Sequence, residues 1–339
     1  MKNLFGCLFV CILAITACRS GNDGAYETGV TDTTLIKLTV LNQEIEDDAT
    51  NADLYNQRAV YFISTRDFDK ALKDIRQAIS IAPDKSGLYV TLSDVYLLTG
   101  KPDNCKDALN KAIEINSKDA EALLKLAKIY LIIKDYPNCF SSVNKLLTID
   151  QGNAGGYYTR AIALLEKEDT IRAVKDLQKA VDNNQNFYDA YIQLGELYAI
   201  KKDPLAEMYL KNALNLKPQS REAMYMLGMY YQESGMYDKA IATYENLSKA
   251  DTSFREAPYN IGYIYMVYLK EFKKAIPFFT ESLRKDPEYY KAYFNRGYAY
   301  ELAGDYQKAY NDYQKTLKLQ VNYDKAVEGL NRLDKLKLR

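Results

Sequence analysis

The sequence predicts an all-α protein, a solenoid of antiparallel helix pairs. Three observations carry this reading. Related segments recur every 34 residues through residues 52–323. Each segment holds two stretches of about a dozen residues with apolar side chains three and four apart, the spacing of one helix face. One register place is always small: Ala59, Ser93, Ala127, Ala161, Gly195, Gly228, Gly262 and Gly297. Two helices that cross closely there would be forced apart by a larger side chain. Such units bury their apolar faces only by stacking on their neighbours.

The elements follow in chain order. Residues 1–17 read as a secretory signal peptide, with Lys2 preceding an apolar run from Leu4 to Ala17 that is too short to span a bilayer. The run ends Ile15-Thr16-Ala17-Cys18, which resembles the cleavage motif of bacterial lipoproteins. The resemblance implies a lipidated Cys18, with fatty acyl groups such as palmitate holding the chain to a membrane. Arg19 stands where an Asp would mark inner-membrane retention, so the expected location is the bacterial cell envelope, at the outer membrane and facing the periplasm. Residues 18–31 are Gly-rich and polar, a flexible tether. Residues 32–51 carry Leu35, Leu38, Leu41 and Ile45 on one stripe and form a leading half-repeat helix. The repeats are 52–85, 86–119, 120–153, 154–187, 188–220, 221–254, 255–289 and 290–323, the fifth one residue short and the seventh one residue long. Residues 324–339 set Val327, Leu330 and Leu333 against Lys325, Glu328, Asn331, Arg332 and Lys335, the pattern of a solvating cap. One quasi-linear array is therefore expected in place of the two domains that the length suggests.

This register resembles the tetratricopeptide repeat. A large residue falls at position 4, a small one at 8, an aromatic at 11 (Tyr96, Tyr130, Tyr198, Tyr231, Tyr265, Tyr300) and a small one at 20 (Ala71, Cys105, Cys139, Ala173, Ala206, Ala240, Ala275, Ala309). Pro83, Pro218 and Pro287 stand at 32, where proline stops a helix. The resemblance implies a right-handed superhelical solenoid of about eight repeats plus capping helices. It also implies that positions 2, 5, 6, 9, 12 and 13 of the first helices line a concave groove for peptide or protein partners. In the last three repeats those places hold Tyr225, Met226, Met229, Tyr259, Asn260, Tyr263, Met266, Phe294, Asn295 and Tyr298. Aromatics and Met are enriched at interface cores, and the Asn amides resemble the family's usual donors and acceptors for a peptide backbone. The family's carboxylate clamp for chaperone tails is not reproduced: only Asn260 and Lys291 match it.

Composition narrows the chemistry. The 339 residues include no His, which removes Ser-His and Cys-His catalysis and His-ligated zinc. With 45 Lys+Arg against 45 Asp+Glu the chain lacks the basic excess of a nucleic-acid binder. Ser142-Val143-Asn144-Lys145 and Ser282-Leu283-Arg284-Lys285 fall inside helices and lack the companion motifs of S-x-x-K enzymes. Gly152-Asn153-Ala154-Gly155-Gly156 reads as a flexible joint between two repeats. No catalytic residue, cofactor or metal site is expected. The expected function is a non-catalytic, membrane-anchored scaffold that binds protein or peptide partners of the cell envelope. The alternative is an envelope glycan- or peptidoglycan-binding protein, or a carboxylate-based enzyme using the groove tyrosines.

Overall fold

A computed structural model describes residues 32–337. The signal peptide, Cys18 and the tether lie outside the described residues. The chain divides into two compact units, one ending at Asn184 and one beginning at Gln185. Sequence analysis expects a single array; the division falls just after a second helix, so every helix pair is whole within its unit.

Unit 1 contains α1 (Asp32–Asp47), α2 (Ala52–Ser64), α3 (Phe68–Ile81), α4 (Ser86–Leu98), α5 (Pro102–Ile115), α6 (Ala120–Ile132), α7 (Tyr136–Ile149), α8 (Ala154–Glu166) and α9 (Thr170–Asn183). Unit 2 contains α10 (Tyr188–Ile200), α11 (Leu205–Leu216), α12 (Arg221–Glu233), α13 (Tyr237–Ala250), α14 (Glu256–Tyr263), a π-helical turn (Ile264–Tyr268), α15 (Phe272–Lys285), α16 (Tyr290–Leu302), α17 (Tyr306–Leu319) and α18 (Asp324–Lys337). Among the described residues there is no strand. Within each unit a helix packs on its successor, and several first helices also touch the next first helix.

The crossing inside each pair is a matched fit. The small residue at position 8 faces the residue at position 24. Where position 8 is Gly, its partner is Leu210, Tyr244, Phe279 or Tyr313. Where position 8 is Ala or Ser, position 24 holds Ile75, Leu109, Val143 or Leu177, all fully buried and all smaller than the three aromatic partners. A Cβ at Gly228 would sit 2.5 Å from a Tyr244 ring carbon, and one at Gly195 2.6 Å from Leu210. Size is thus exchanged across the crossing at constant spacing.

The turns between paired helices share one geometry. Arg66, Gly100, Lys134, Glu168, Lys202, Gly235, Lys270 and Gly304 all adopt positive φ, between 54° and 84°. The next amide bonds back to the carbonyl five residues earlier, as in Asp67 to Phe62 at 2.8 Å and Asp135 to Tyr130 at 2.8 Å, the closing bond of a Schellman motif. Asp67, Asp135, Asp169 and Asp305 then cap the second helix by accepting the amides of Lys70, Asn138, Arg172 and Lys308. Five of the eight left-handed residues carry a Cβ. That conformation costs about 1–2 kcal/mol for an L-residue, against about 0.5–1 kcal/mol of extra chain entropy lost by Gly. Replacing Arg66, Lys134 and Glu168 together by Gly is therefore expected to raise stability by about 1–2 kcal/mol, read as a higher urea midpoint at unchanged slope. A lower midpoint would refute the turn geometry.

The two irregular repeats absorb their length changes differently. In the short fifth repeat the loss falls on the second helix: α11 has 12 residues where the other second helices have 14, and the turn before it, 201–204, is one residue longer than in the other repeats. In the long seventh repeat the extra residue enters the first helix as the π-turn. Leu269 N–H reaches Ile264 C=O at 3.1 Å, and Glu271 N–H reaches Tyr265 C=O at 2.8 Å, one residue further back than in the other repeats.

One expectation about a repeat junction changes. The Gly-rich stretch 152–156 is a packed junction: Asn153 caps α8 through the Gly156 amide at 2.8 Å. Cβ atoms at Gly155 and Gly156 would meet Leu124 at 3.0 Å and Leu146 at 2.9 Å. These glycines serve close approach. Cys105 and Cys139 are buried and not joined in a disulfide, and burial pushes the Cys139 thiol up to about 11. Ser282 donates to the Arg255 carbonyl at 2.9 Å, a packing role for one of the two S-x-x-K serines.

Candidate functional site

The groove residues expected from the register all lie in unit 2, on α12, α14, the π-turn and α16. The structure sorts them into three groups.

Met266 is core, only 3% exposed, packed with Ala275, Phe279 and Ala299. It does not line the groove. The π-turn adds one residue before it and rotates its side chain inward, an effect that simple counting along an α-helix misses.

Asn260 and Asn295 are also buried, at 8% and 6%, and already engaged. Asn295 donates to the Tyr259 hydroxyl at 2.7 Å. Asn260 contacts Met229 Sδ at 3.9 Å, beside the Tyr225 and Tyr244 hydroxyls. A position-5 tyrosine of one repeat thus holds the position-6 asparagine of the next. These amides are not free to bind a peptide backbone, because burial leaves a polar group bonded internally. Burial drives the Tyr259 phenol far above its usual range, so it stays neutral. Its ring packs on Phe279 at 5.7 Å and Tyr289 at 5.1 Å. Phe294 likewise packs on Tyr313 at 5.8 Å and Tyr323 at 5.3 Å.

The remaining residues, Tyr225, Met226, Met229, Tyr263 and Tyr298, are half-buried, as are Tyr259 and Phe294, and form the accessible part of the face with them. Tyr263 meets the exposed Tyr268 edge-on at 6.0 Å, and Tyr268 stacks on Tyr237 at 4.8 Å. Near this face stands a carboxylate that the sequence reading missed. Glu196 lies on α10 at the register place that Met229 occupies on α12. Burial raises its carboxyl above the ordinary value, and Glu222 adds repulsion. Glu222 accepts from the Tyr188 hydroxyl at 3.3 Å.

A second missed feature is a clamp present three times. Arg58, Arg160 and Arg296, all at position 7, pair bidentately with Asp74, Asp176 and Asp312 at 2.7–2.9 Å. Each guanidinium also reaches back to the preceding second helix, at Asn42 and Asn144 (both 2.8 Å) and at Thr280 (3.1 Å). Each lies near the ring of a position-4 tyrosine, Tyr55, Tyr157 or Tyr293. The signal available in the sequence was Arg followed by Asp sixteen residues later, in phase with the repeat. Among the described residues no group of three or more Cys, Asp or Glu could hold a metal ion. None of their helices is long and apolar enough to cross a membrane.

Family models described as tetratricopeptide repeat match residues 62–129, 222–251 and 290–323. The chain is a tetratricopeptide repeat protein. Such repeats form a protein-interaction architecture. Among curated proteins, this repeat protein is 27% identical over 227 residues to human protein O-mannosyl-transferase TMTC3, covering 66% of this chain and 21% of that one. It is 30% identical over 170 residues to RNA polymerase II-associated protein 3 of Xenopus tropicalis, covering 50% and 23%. The chain thus spans less than a quarter of the length of either relative. Among solved structures, the C-terminal part of a TPR repeat-containing protein from Cytophaga hutchinsonii superposes with a TM-score of 0.63 at 17% identity, covering 70% of this chain and 98% of that one. Pseudomonas aeruginosa pilF superposes at 0.54 with 15% identity, covering 61% and 94%. At these identities the likeness is one of fold.

Proposed function

We propose that this repeat protein is a non-catalytic scaffold of the bacterial cell envelope. On this reading it is lipid-anchored through Cys18 at the outer membrane, faces the periplasm, and binds protein or peptide partners on the first-helix face of unit 2. The observation that carries the binding role is the half-buried cluster of Tyr225, Met226, Met229, Tyr263 and Tyr298, of which the Tyr263 and Tyr298 rings pack on buried residues beneath them. Rigid aromatics lose little entropy on contact, and Met adapts to irregular surfaces. The anchor rests on Ile15-Thr16-Ala17-Cys18.

The test is crosslinking and pull-down from envelope extract with the triple variant Met229→Ala, Tyr263→Ala, Tyr298→Ala. Partner recovery is expected to drop at least about ten-fold, since truncating central anchors commonly costs 2 kcal/mol or more. The melting transition should stay cooperative. Full recovery of every partner would remove the groove assignment. Cys18→Ser should shift the chain from the membrane to the soluble fraction, and retention at the membrane would remove the anchor.

A further inference from the structure

We propose that the face of unit 2 formed by α10, α12 and α14 takes a partner segment bearing a Lys or Arg side chain, which pairs with Glu196 and Glu222 while its apolar neighbours rest on Met226, Met229 and Tyr263. This rests on the groove reading above and names the chemistry of its occupant.

The argument is one of unmatched charge beside an apolar surface. The arginines on or beside the first helices of unit 2 are committed elsewhere, and the exposed Lys291 lies on α16, outside this face. Arg221 turns to Asp251 at 3.2 Å, and Arg255 pairs with Asp286 and Glu256. Arg296 is locked to Asp312 at 2.7 Å. Glu256 and Glu301 on these helices are paired, with Arg255 and Arg332, but two other carboxylates are not. Glu196 has no hydrogen bond or ion pair among the described residues. Glu222 holds only the long bond from the Tyr188 hydroxyl. Glu233, at the end of α12, lies 4.0 Å from Lys202 Nζ, the outer limit of an ion pair.

A desolvated carboxylate without a donor works against folding. Gln would fill the same space without that penalty. A cation arriving from outside restores the missing donor and relieves the repulsion between Glu196 and Glu222. Arg suits this face, because its planar fork presents several donors to a carboxylate. The neighbouring surface suits the rest of such a segment: Met226 and Met229 accept aliphatic stems, and the Tyr263 face attracts a second cation. An acidic segment would meet Glu196 and Glu222 and be turned away.

The experiment uses the full chain and a phage-displayed pool of random nonapeptides as the probe. Peptides selected on the wild-type protein should be enriched in Lys and Arg flanked by apolar residues. The double variant Glu196→Gln, Glu222→Gln should lose that enrichment. A synthetic selected peptide should bind this variant about ten-fold more weakly, the scale of a partly desolvated charge pair, and added salt should weaken its binding to the wild type. The variant should melt no lower than the wild type. Glu222 is exposed, so Glu222→Gln alone supplies a second variant that leaves the fold untouched. Enrichment without Lys or Arg, or enrichment that survives both Gln substitutions, overturns the charge proposal. If such peptides are still lost with the Met229, Tyr263 and Tyr298 alanines, the groove stands and only its chemistry is wrong. Peptides that ignore those alanines, or no selected peptide at all, overturn both.

Discussion

Arg160→Ala is expected to destabilise unit 1 by about 3 kcal/mol. The guanidinium holds Asp176 through two bonds of 2.7 and 2.8 Å, and Asp176 is only 6% exposed. Removing the arginine strands a buried carboxylate, and that penalty exceeds the modest net worth of the pair. A third bond, to Asn144 at 2.8 Å, is lost with it, as is the contact with the Tyr157 ring. Lys should rescue only in part, because an ammonium cannot make the paired bonds of a fork. The double variant Arg160→Ala, Asp176→Ala should recover most of the loss, since no charge is then left behind. Urea titrations of the three variants decide it. If Arg160→Ala costs less than the double variant, the clamp does not hold Asp176 as described.

Gly228→Ala should lower the stability of unit 2 by about 2 kcal/mol, although the same change in an exposed helix raises it by about 1 kcal/mol. The sign is set by Tyr244. Its ring is fully buried, its hydroxyl bonds Gln232 at 3.3 Å, and it lies 2.5 Å from where the new Cβ must go. Overpacking a close-packed crossing costs about 1–3 kcal/mol beyond the helical gain. Tyr244→Leu alone should also destabilise, by opening a cavity. Combined, the two changes recreate the Ala161–Leu177 pairing of the fourth repeat, and the pair should be more stable than the sum of the singles by more than 1 kcal/mol. Additive effects would show that positions 8 and 24 do not share the crossing.

The helix pairs were legible because sequence and packing share one period. Ala59 and its seven equivalents mark the crossings, and Asp67, Asp135, Asp169 and Asp305 mark helix starts. Register carried less information about the face. It placed Tyr225, Met229, Tyr263 and Tyr298 on an accessible surface. It did not foresee that the hydroxyl of Tyr259 would occupy Asn295, a contact between repeats that no count within one repeat contains. Met266 was misplaced because the extra residue of the seventh repeat could have entered a turn or a helix, and only the hydrogen bonds tell which. Glu196 was passed over because desolvation depends on what surrounds a carboxylate, not on its neighbours in the chain.

The threefold clamp has a mechanical consequence. A position-7 arginine ties its own second helix and the preceding one to a single guanidinium, so sliding one repeat along the next must break several charged bonds together. In unit 1 the first and fourth pairs carry this lock and the second and third do not. Under tension applied through the ends of that unit, the middle pairs, tied by Lys125 to Asp94 at 2.6 Å in place of an arginine fork, should yield first. The ends then keep their shape and the slack between them is recoverable.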